Sequence, residues 1–318
     1  MKVVLTGGAG FVGGAVARNL RERGDDVVAL VRDPARATRL TEIGAQVVAN
    51  DLTDATTIAA SLAGADALIH AAGSYRVGIT KQERPQMWDA NVGTTTRVLD
   101  AAAAAGTNRI VYVSTVNIFG NTHQRVVDEG YRRNLVAGFV SYYDETKFRA
   151  HEVAEERLAG GAPIVIVLPS QVYGPGDHSA FGEQLAAAYA GKLPYRAVDD
   201  VGVGLVHVDD LAAGIVAALD RGEIGRSYIL SGPTTTLGDA IELAATVGSR
   251  KPPRLHVPTG LLRLVAPLGP LIGQPNLREV ISASSGVTYW ATAARAAQEL
   301  GFHARPIEDG LRDTFAAA

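Results

Sequence analysis

The chain opens KVVLTGGAGFVG, and the glycines within it restrict the fold more than any other feature. Residues 2–6 are a short β-branched run that reads as a buried strand. Gly7, Gly10 and Gly13 follow in the spacing G-x-x-G-x-x-G, then a helical pattern runs to Arg23 and Gly24 ends it. Residues 26–31 (DVVALV) form the next strand. Strand, glycine turn, helix and strand are the context that a dinucleotide-binding fingerprint requires. The glycines permit a tight turn, and backbone N–H groups can then approach a pyrophosphate at the helix N-terminus. Gly7, Gly10, Phe11 and Val12 are therefore candidate cofactor contacts.

The second strand bears on which dinucleotide. An acidic residue at its tip would hydrogen-bond a ribose 2′-hydroxyl and repel a 2′-phosphate. Here the tip is Val31, followed by Arg32 and Asp33. A guanidinium there favours a phosphate through charge-assisted hydrogen bonds, which predicts NADP(H) over NAD(H), with Arg36 as a second cation. The opposing reading makes Arg32 a surface charge and gives the ribose to Asp33.

The alternation then repeats. Residues 46–49 lead to Asn50, Asp51 and Leu52, where the Asp51 carboxylate is placed to accept from an adenine amino group or to cap the next helix. Residues 67–70 (ALIH) end in Ala71, Ala72 and Gly73, small enough to let a ligand lie close. His70 follows an apolar run and reads as a satisfied structural histidine. A helix over residues 87–105 carries Asn91, and residues 109–114 form a further strand ending in Ser114 and Thr115.

Tyr143 and Lys147 stand four residues apart. On a helix over residues 143–156 they share a face. A cation about 4 Å from a phenol, at an effective dielectric near 20, is worth roughly 4 kcal/mol, or about three pKa units. The pairing predicts a phenol drawn down from about 10 towards working pH, where proton transfer is most efficient. Tyr142 lacks the i+4 spacing and reads as packing.

After residues 163–168 (PIVIVL) the pattern loosens. Residues 181–191, 209–220, 237–247 and 292–300 read as helices, and residues 204–208 and 228–231 as strands. The expected division is 1–171 plus 204–232 for the dinucleotide domain, and 172–203 plus 233–318 for a substrate lobe. That lobe makes two excursions from the sheet, with the helix at 292–300 as part of it.

Composition excludes several classes. A net charge of -3 over 318 residues gives no reason to expect nucleic-acid binding. With no cysteine there is no disulfide, thiolate catalysis or zinc–thiolate site. Lys2 leads directly into the strand and glycine turn, so no signal peptide is read and a cytoplasmic location is expected. The tract at residues 255–273 is broken by Arg263, Pro267 and Pro270 and reads as pocket cover rather than a membrane span.

The motifs TGGAGFVG, NDL, HAAG, NVGT, VSTVNIFG, YDETK, PSQVYGPGD and HVDD occur in this order along the chain. The set resembles the extended short-chain dehydrogenase/reductases, the NAD-dependent epimerase/dehydratase superfamily. VVALVRDPAR is similar to the dihydroflavonol-4-reductase-like branch. The resemblance implies an α/β fold: a Rossmann-like, doubly wound parallel sheet with a smaller, discontinuous C-terminal lobe. It also implies roles. Tyr143 would be the acid–base phenol, Lys147 its electrostatic partner and a ribose ligand, and Thr115 the hydroxyl on the substrate oxygen. Ser114 would lie nearer the cofactor, and Asn91 would steady a helix near the proton relay. Ala71, Ala72 and Gly73 would pass under the cofactor, while Pro169 and Gln171 would border the nicotinamide. A homodimer is implied by resemblance alone. Two departures stand out: Thr115 replaces the commoner serine, and Leu168 stands where an arginine is frequent.

The expected activity is hydride transfer between NADP(H) and a small ketone, aldehyde or secondary alcohol. A nucleotide-sugar epimerase or dehydratase is the alternative, and a non-catalytic NADP-binding sensor or assembly protein the second. The expected pocket segments, residues 74–85, 121–140, 173–195 and 255–290, carry Tyr75, Phe139, Phe181, Tyr189, Tyr195, Tyr289 and Trp290. Their few clustered charges favour an apolar or aromatic substrate, although Arg76, Arg132, Arg133 and Arg196 would suit a second diphosphate.

Overall fold

A computed structural model of the chain describes residues 1–267 and 276–316. Among them, seven strands form one parallel sheet. In chain order they are β1 (Lys2–Thr6), β2 (Asp26–Val31), β3 (Gln46–Ala49), β4 (Ala67–His70), β5 (Ile110–Val113), β6 (Ile164–Pro169) and, further on, Ser227–Leu230. Their spatial order places β1 beside β4, with β2 and β3 to one side and β5, β6 and the last strand to the other. The winding therefore reverses between β1 and β4. That switch point opens a crevice at the carboxyl ends of the strands, the usual ligand position in such sheets.

Alternation along the strands feeds two cores. On β1, Val3 and Leu5 join the cluster under α1 (Phe11–Glu22), whereas Val4 joins the cluster on the opposite face. Parallel strands covered on both faces read as continuous apolar runs, as KVVLT and PIVIVL do. The second face is covered by α2 (Ala55–Leu62), α3 (Thr94–Ala104) and α4 (Tyr142–Ala159). The expected helix at 87–105 has three parts. Arg84–Trp88 is α-helical, Asp89–Gly93 is one π-helical turn, and α3 continues from Thr94. Wide turns of this kind recur at functional sites, and this one holds Asn91.

A second, three-stranded sheet pairs β7 (Gln171–Tyr173) with β8 (Gly202–His207), and β8 with the short strand Thr234–Thr236. Residues 202–207 thus add to this small sheet. The proposed division at 204 runs through it. Helix α5 (Ala180–Tyr189) packs with Leu237–Val247 over a third apolar cluster that includes Tyr173, Leu185 and Ile241.

One expectation needs correcting. The helix read at 292–300 is Ala294–Leu300, and it does not belong to the outer lobe. Ala296, Leu300 and the following Phe302 are buried in the cluster of the main sheet with Tyr228 and Leu230. Ala296 and Leu300, one turn apart, put one face of the helix on that cluster, and Phe302 just beyond its end adds to it. Residues 268–273 of the tract at 255–273 lie outside the described residues, as do residues 268–275 of the expected pocket segment 255–290. No described helix is long and apolar enough to cross a membrane.

Candidate active site

Two adjoining cavities occupy the crevice. The larger, of about 1300 Å³, begins at Gly8, Ala9 and Gly10 and is walled opposite by Arg36, Thr38 and Arg39. The smaller, of about 270 Å³, is bounded by Ala71 to Gly73, Ser114, Thr115, Tyr143 and Lys147, with Pro169 and Gln171 on its far side. Phe11, Tyr75, Asp177 and Ser179 border both. The two spaces follow one another as the two halves of a dinucleotide do.

The glycine turn divides its tasks. A Cβ on Gly7 would lie 2.7 Å from the Ala71 carbonyl, and one on Gly13 only 2.1 Å from the Gly7 oxygen. Those two positions let the turn close against β4 and against α1. Gly10 faces the larger cavity and caps α1 with no side-chain hydrogen bond. The first N–H groups of α1 have no intrahelical acceptor, so they remain available to an anion. Val12 borders the smaller cavity.

Arg32 and Asp33 are both exposed at the end of β2. Asp33 is engaged: it accepts from the Ala35 N–H at 3.1 Å and lies 3.5 Å from Arg36 Nε. The wall of the large cavity comes from Arg36 and Arg39 rather than Arg32. Arg39 was not singled out from the sequence; it stands on the separate short helix Thr38–Glu42, after the 3-10 turn that ends at Arg36. Asp51 and Leu52 stand at the end of β3, outside both cavities. Asp51 accepts from the Thr53 N–H and hydroxyl, while Asp54 caps α2, so Asp51 is not the helix cap.

Ser141 caps α4 by accepting from the Asp144 N–H at 3.1 Å, and this sets Tyr143 and Lys147 one turn apart on the cavity face. Both are buried. Lys147 Nζ donates to the Val113 carbonyl at 3.5 Å, and no described carboxylate pairs with it. Burial alone lowers its amine to about 8. Tyr143 behaves differently from the expectation. Burial raises its phenol far above the usual value, with Tyr75 and Tyr112 adding to the rise. Desolvation is the largest cause, and the surrounding Tyr75, Tyr112, Asp144 and Tyr289 all push the same way. The Tyr143 ring also meets Tyr75 edge-to-face at 4.7 Å.

Thr115 borders the same cavity, but its hydroxyl donates to Asn117 Oδ1 at 3.1 Å and accepts from the Asn117 N–H at 3.2 Å. Asn91 is held by Ser74 and Thr146. His70 is the structural histidine expected. It bonds Thr6 at 2.7 Å and Thr95 at 3.2 Å, and burial lowers it to about 3, so it is neutral.

The remaining expected pocket groups mostly pack elsewhere. Among the expected aromatics only Tyr75 borders the cavities. Phe139 packs on Phe148, Tyr189 stacks on Phe315, and Trp290 donates to the Thr235 carbonyl. Three of the four basic residues are in ion pairs, Arg133 with Asp144, Arg76 with Glu83, and Arg196 with Glu242 and Asp199, while Arg132 donates to the Glu129 and Tyr131 carbonyls.

Comparison with known proteins identifies the family and agrees with the fold. The model of the NAD dependent epimerase/dehydratase family matches residues 3–231. A provisionally named dihydroflavonol 4-reductase of Synechocystis sp. is 31% identical, over 97% of this chain and 92% of its own. The 2-alkyl-3-oxoalkanoate reductase of Stenotrophomonas maltophilia is 28% identical, over 98% of each. The crystal structure of gox2253 superposes with a TM-score of 0.86 at 32% identity, covering 99% of this chain and 96% of that one. With a doubly wound sheet, a glycine turn at its switch point and this family match over most of its length, the chain belongs to the NAD dependent epimerase/dehydratase family of NAD(P)-dependent oxidoreductases.

Proposed function

We propose that the protein is an NADPH-dependent reductase of a small, apolar or aromatic ketone or aldehyde. The observation that carries this reading is the meeting of Tyr143, Lys147 and Thr115 on one cavity at the switch point. The relatives named as reductases support it. Bound dinucleotide would supply the hydride. Gly10, Phe11 and Val12 would hold its pyrophosphate, and Ala71 to Gly73, Pro169 and Gln171 would flank the smaller cavity's occupant. Tyr143 would donate the proton, loaded by burial, to the developing alkoxide. Lys147 would stabilise the phenolate left behind and hold a ribose. Thr115 would turn its hydroxyl from Asn117 to the substrate oxygen.

Two details favour this over a nucleotide-sugar epimerase. Arg76, Arg133 and Arg196 are in ion pairs, which removes cations that a second diphosphate would need. Asp33, the rival ribose acceptor, already accepts from the Ala35 N–H and lies beside Arg36, which leaves Arg39 on the cavity wall, and Arg32 off it at the end of β2, for a 2′-phosphate. Arg32→Asp is therefore expected to move preference from NADPH towards NADH. The ratio of kcat/KM values measures it, and an unchanged ratio would remove Arg32 from the phosphate site.

The amine also sets a pH dependence. Lys147 carries charge below about 8 and loses it above. Its support of the phenolate is thus present at low pH and lost as pH rises, so kcat should fall through that range. A kcat that is flat to well above pH 8 would contradict the role. The general test is a panel of ketones and aldehydes followed by NADPH absorbance, with NADH in parallel. Consumption of NADPH by an apolar carbonyl is expected. No consumption with any member would remove the reductase reading.

A further inference from the structure

We propose that α4 and β5 hold a proton path from the surface to the cleft, through Glu155, His151 and Ser114, which refills the Tyr143–Lys147 pair after each turnover. The proposal rests on the reductase reading above. Four residues of α4 fall on one stripe at i+4 spacing: Tyr143, Lys147, His151 and Glu155. The first two border the smaller cavity. The third lies beneath it, with its side chain 7% exposed, and the fourth reaches solvent at 52%.

The contacts are continuous at the outer end. His151 Nε2 lies 3.4 Å from Glu155 Oε1, and His151 Nδ1 lies 3.0 Å from Ser114 Oγ. An imidazole that takes a proton at one nitrogen and releases it at the other can carry charge between the two without moving. Ser114 borders the cavity beside Lys147, and Lys147 Nζ donates to the carbonyl of Val113, the residue just before Ser114. The step from the Ser114 hydroxyl to the Lys147 amine would run through one water bridging them in that cavity.

Two neighbouring buried polar groups offer no second path through the protein. Asn91, beside the catalytic helix, has both amide protons committed, to the Ser74 carbonyl at 3.1 Å and Thr146 Oγ1 at 2.9 Å. Its oxygen accepts from the Ser74 N–H at 2.7 Å. His70, a second buried imidazole near the cleft, is held between Thr6 and Thr95 and has no contact with solvent.

The proton balance is simple. The Tyr143 O–H bond breaks as the product O–H forms. The phenolate takes a proton from the Lys147 ammonium. The amine is recharged from Ser114, Ser114 from His151 Nδ1, and His151 at Nε2 from Glu155 and the water upon it. No electrons move along the path.

The test separates the first turnover from the rest. His151→Leu should give the first NADPH oxidation at the wild-type rate and full amplitude, because Tyr143 begins protonated. Steady-state turnover should then be at least about tenfold slower. His151→Gln keeps a hydrogen bond to Ser114 but cannot shuttle, so it should be equally slow. Rescue by glutamine, or a first turnover slowed as much as the later ones, would show a structural role and overturn the path. A second readout needs no turnover. Exchange of the Lys147 amine hydrogens with water, followed by ¹⁵N NMR with NADP⁺ bound so that the cleft is filled, should slow in His151→Leu but not in Glu152→Gln. Unchanged exchange would overturn the path whatever the kinetics. A wild-type protein that reduces nothing would overturn the reductase reading, and the exchange rates would then decide the path alone.

Discussion

Tyr143→Phe is expected to lower kcat at least about a hundredfold with NADPH affinity nearly unchanged. The substitution removes one oxygen and leaves the ring, so the edge-to-face contact with Tyr75 at 4.7 Å survives. What disappears is a proton that burial keeps in place at neutral pH. Fixed donors aimed at developing charge are typically the largest single contribution to catalysis, about 3 to 4 kcal/mol for one lost group. Titrating bound NADPH by fluorescence and measuring kcat on the same preparation separates the two effects. A variant with wild-type turnover would remove Tyr143 from the chemistry. One that lost NADPH binding as well would show the hydroxyl serving the cofactor more than the substrate.

Arg133→Ala is expected to cost about 3 to 5 kcal/mol of stability, because it leaves a carboxylate buried without its partner. Arg133 and Asp144 form a forked pair at 2.8 and 3.0 Å, with side chains only 5% and 1% exposed. The same guanidinium donates to the Ile118 and Gly138 carbonyls and lies 4.5 Å above the Phe139 ring. Asp144 also accepts from the Val140 N–H at 3.0 Å. These contacts tie the loop before α4 to its first turn, one residue beyond Tyr143. Urea unfolding should therefore show the loss, and kcat should fall with it as the phenol loses its fixed position. The double replacement Arg133→Met with Asp144→Leu should recover much of the stability, since no charge is then stranded. A loss below about 1 kcal/mol in the single variant would mean that the pair is effectively solvated.

Local features of the site were legible because they repeat at fixed spacing. The glycine turn lies between two β-branched runs, Tyr143 and Lys147 are four residues apart, and His70 closes an apolar strand. Each placement follows from the period of its own element. The pairing of residues 202–207 with β7 was not legible, since a three-residue strand such as β7 carries too little alternation. Nor was the fate of Arg133. As one of two adjacent arginines in a polar loop it read as a free cation, and only the chain's return over α4 brings Asp144 to it. The phenol's direction of shift was misjudged for a related reason. Spacing along a helix reports that an amine is near, but not how much water both groups have lost. Arg39 escaped notice because the cavity wall it joins is formed by the fold, not by its neighbours in sequence.

Hydride transfer itself gives the most direct measurement. With NADPH carrying deuterium at the reactive ring position and a carbonyl the enzyme consumes, the label should appear on the carbinol carbon of the product. One NADP⁺ should accumulate for each alcohol formed. Label that stays with the nucleotide, or product formed with no net oxidation of NADPH, would contradict the account and point to a cofactor recycled within each turnover.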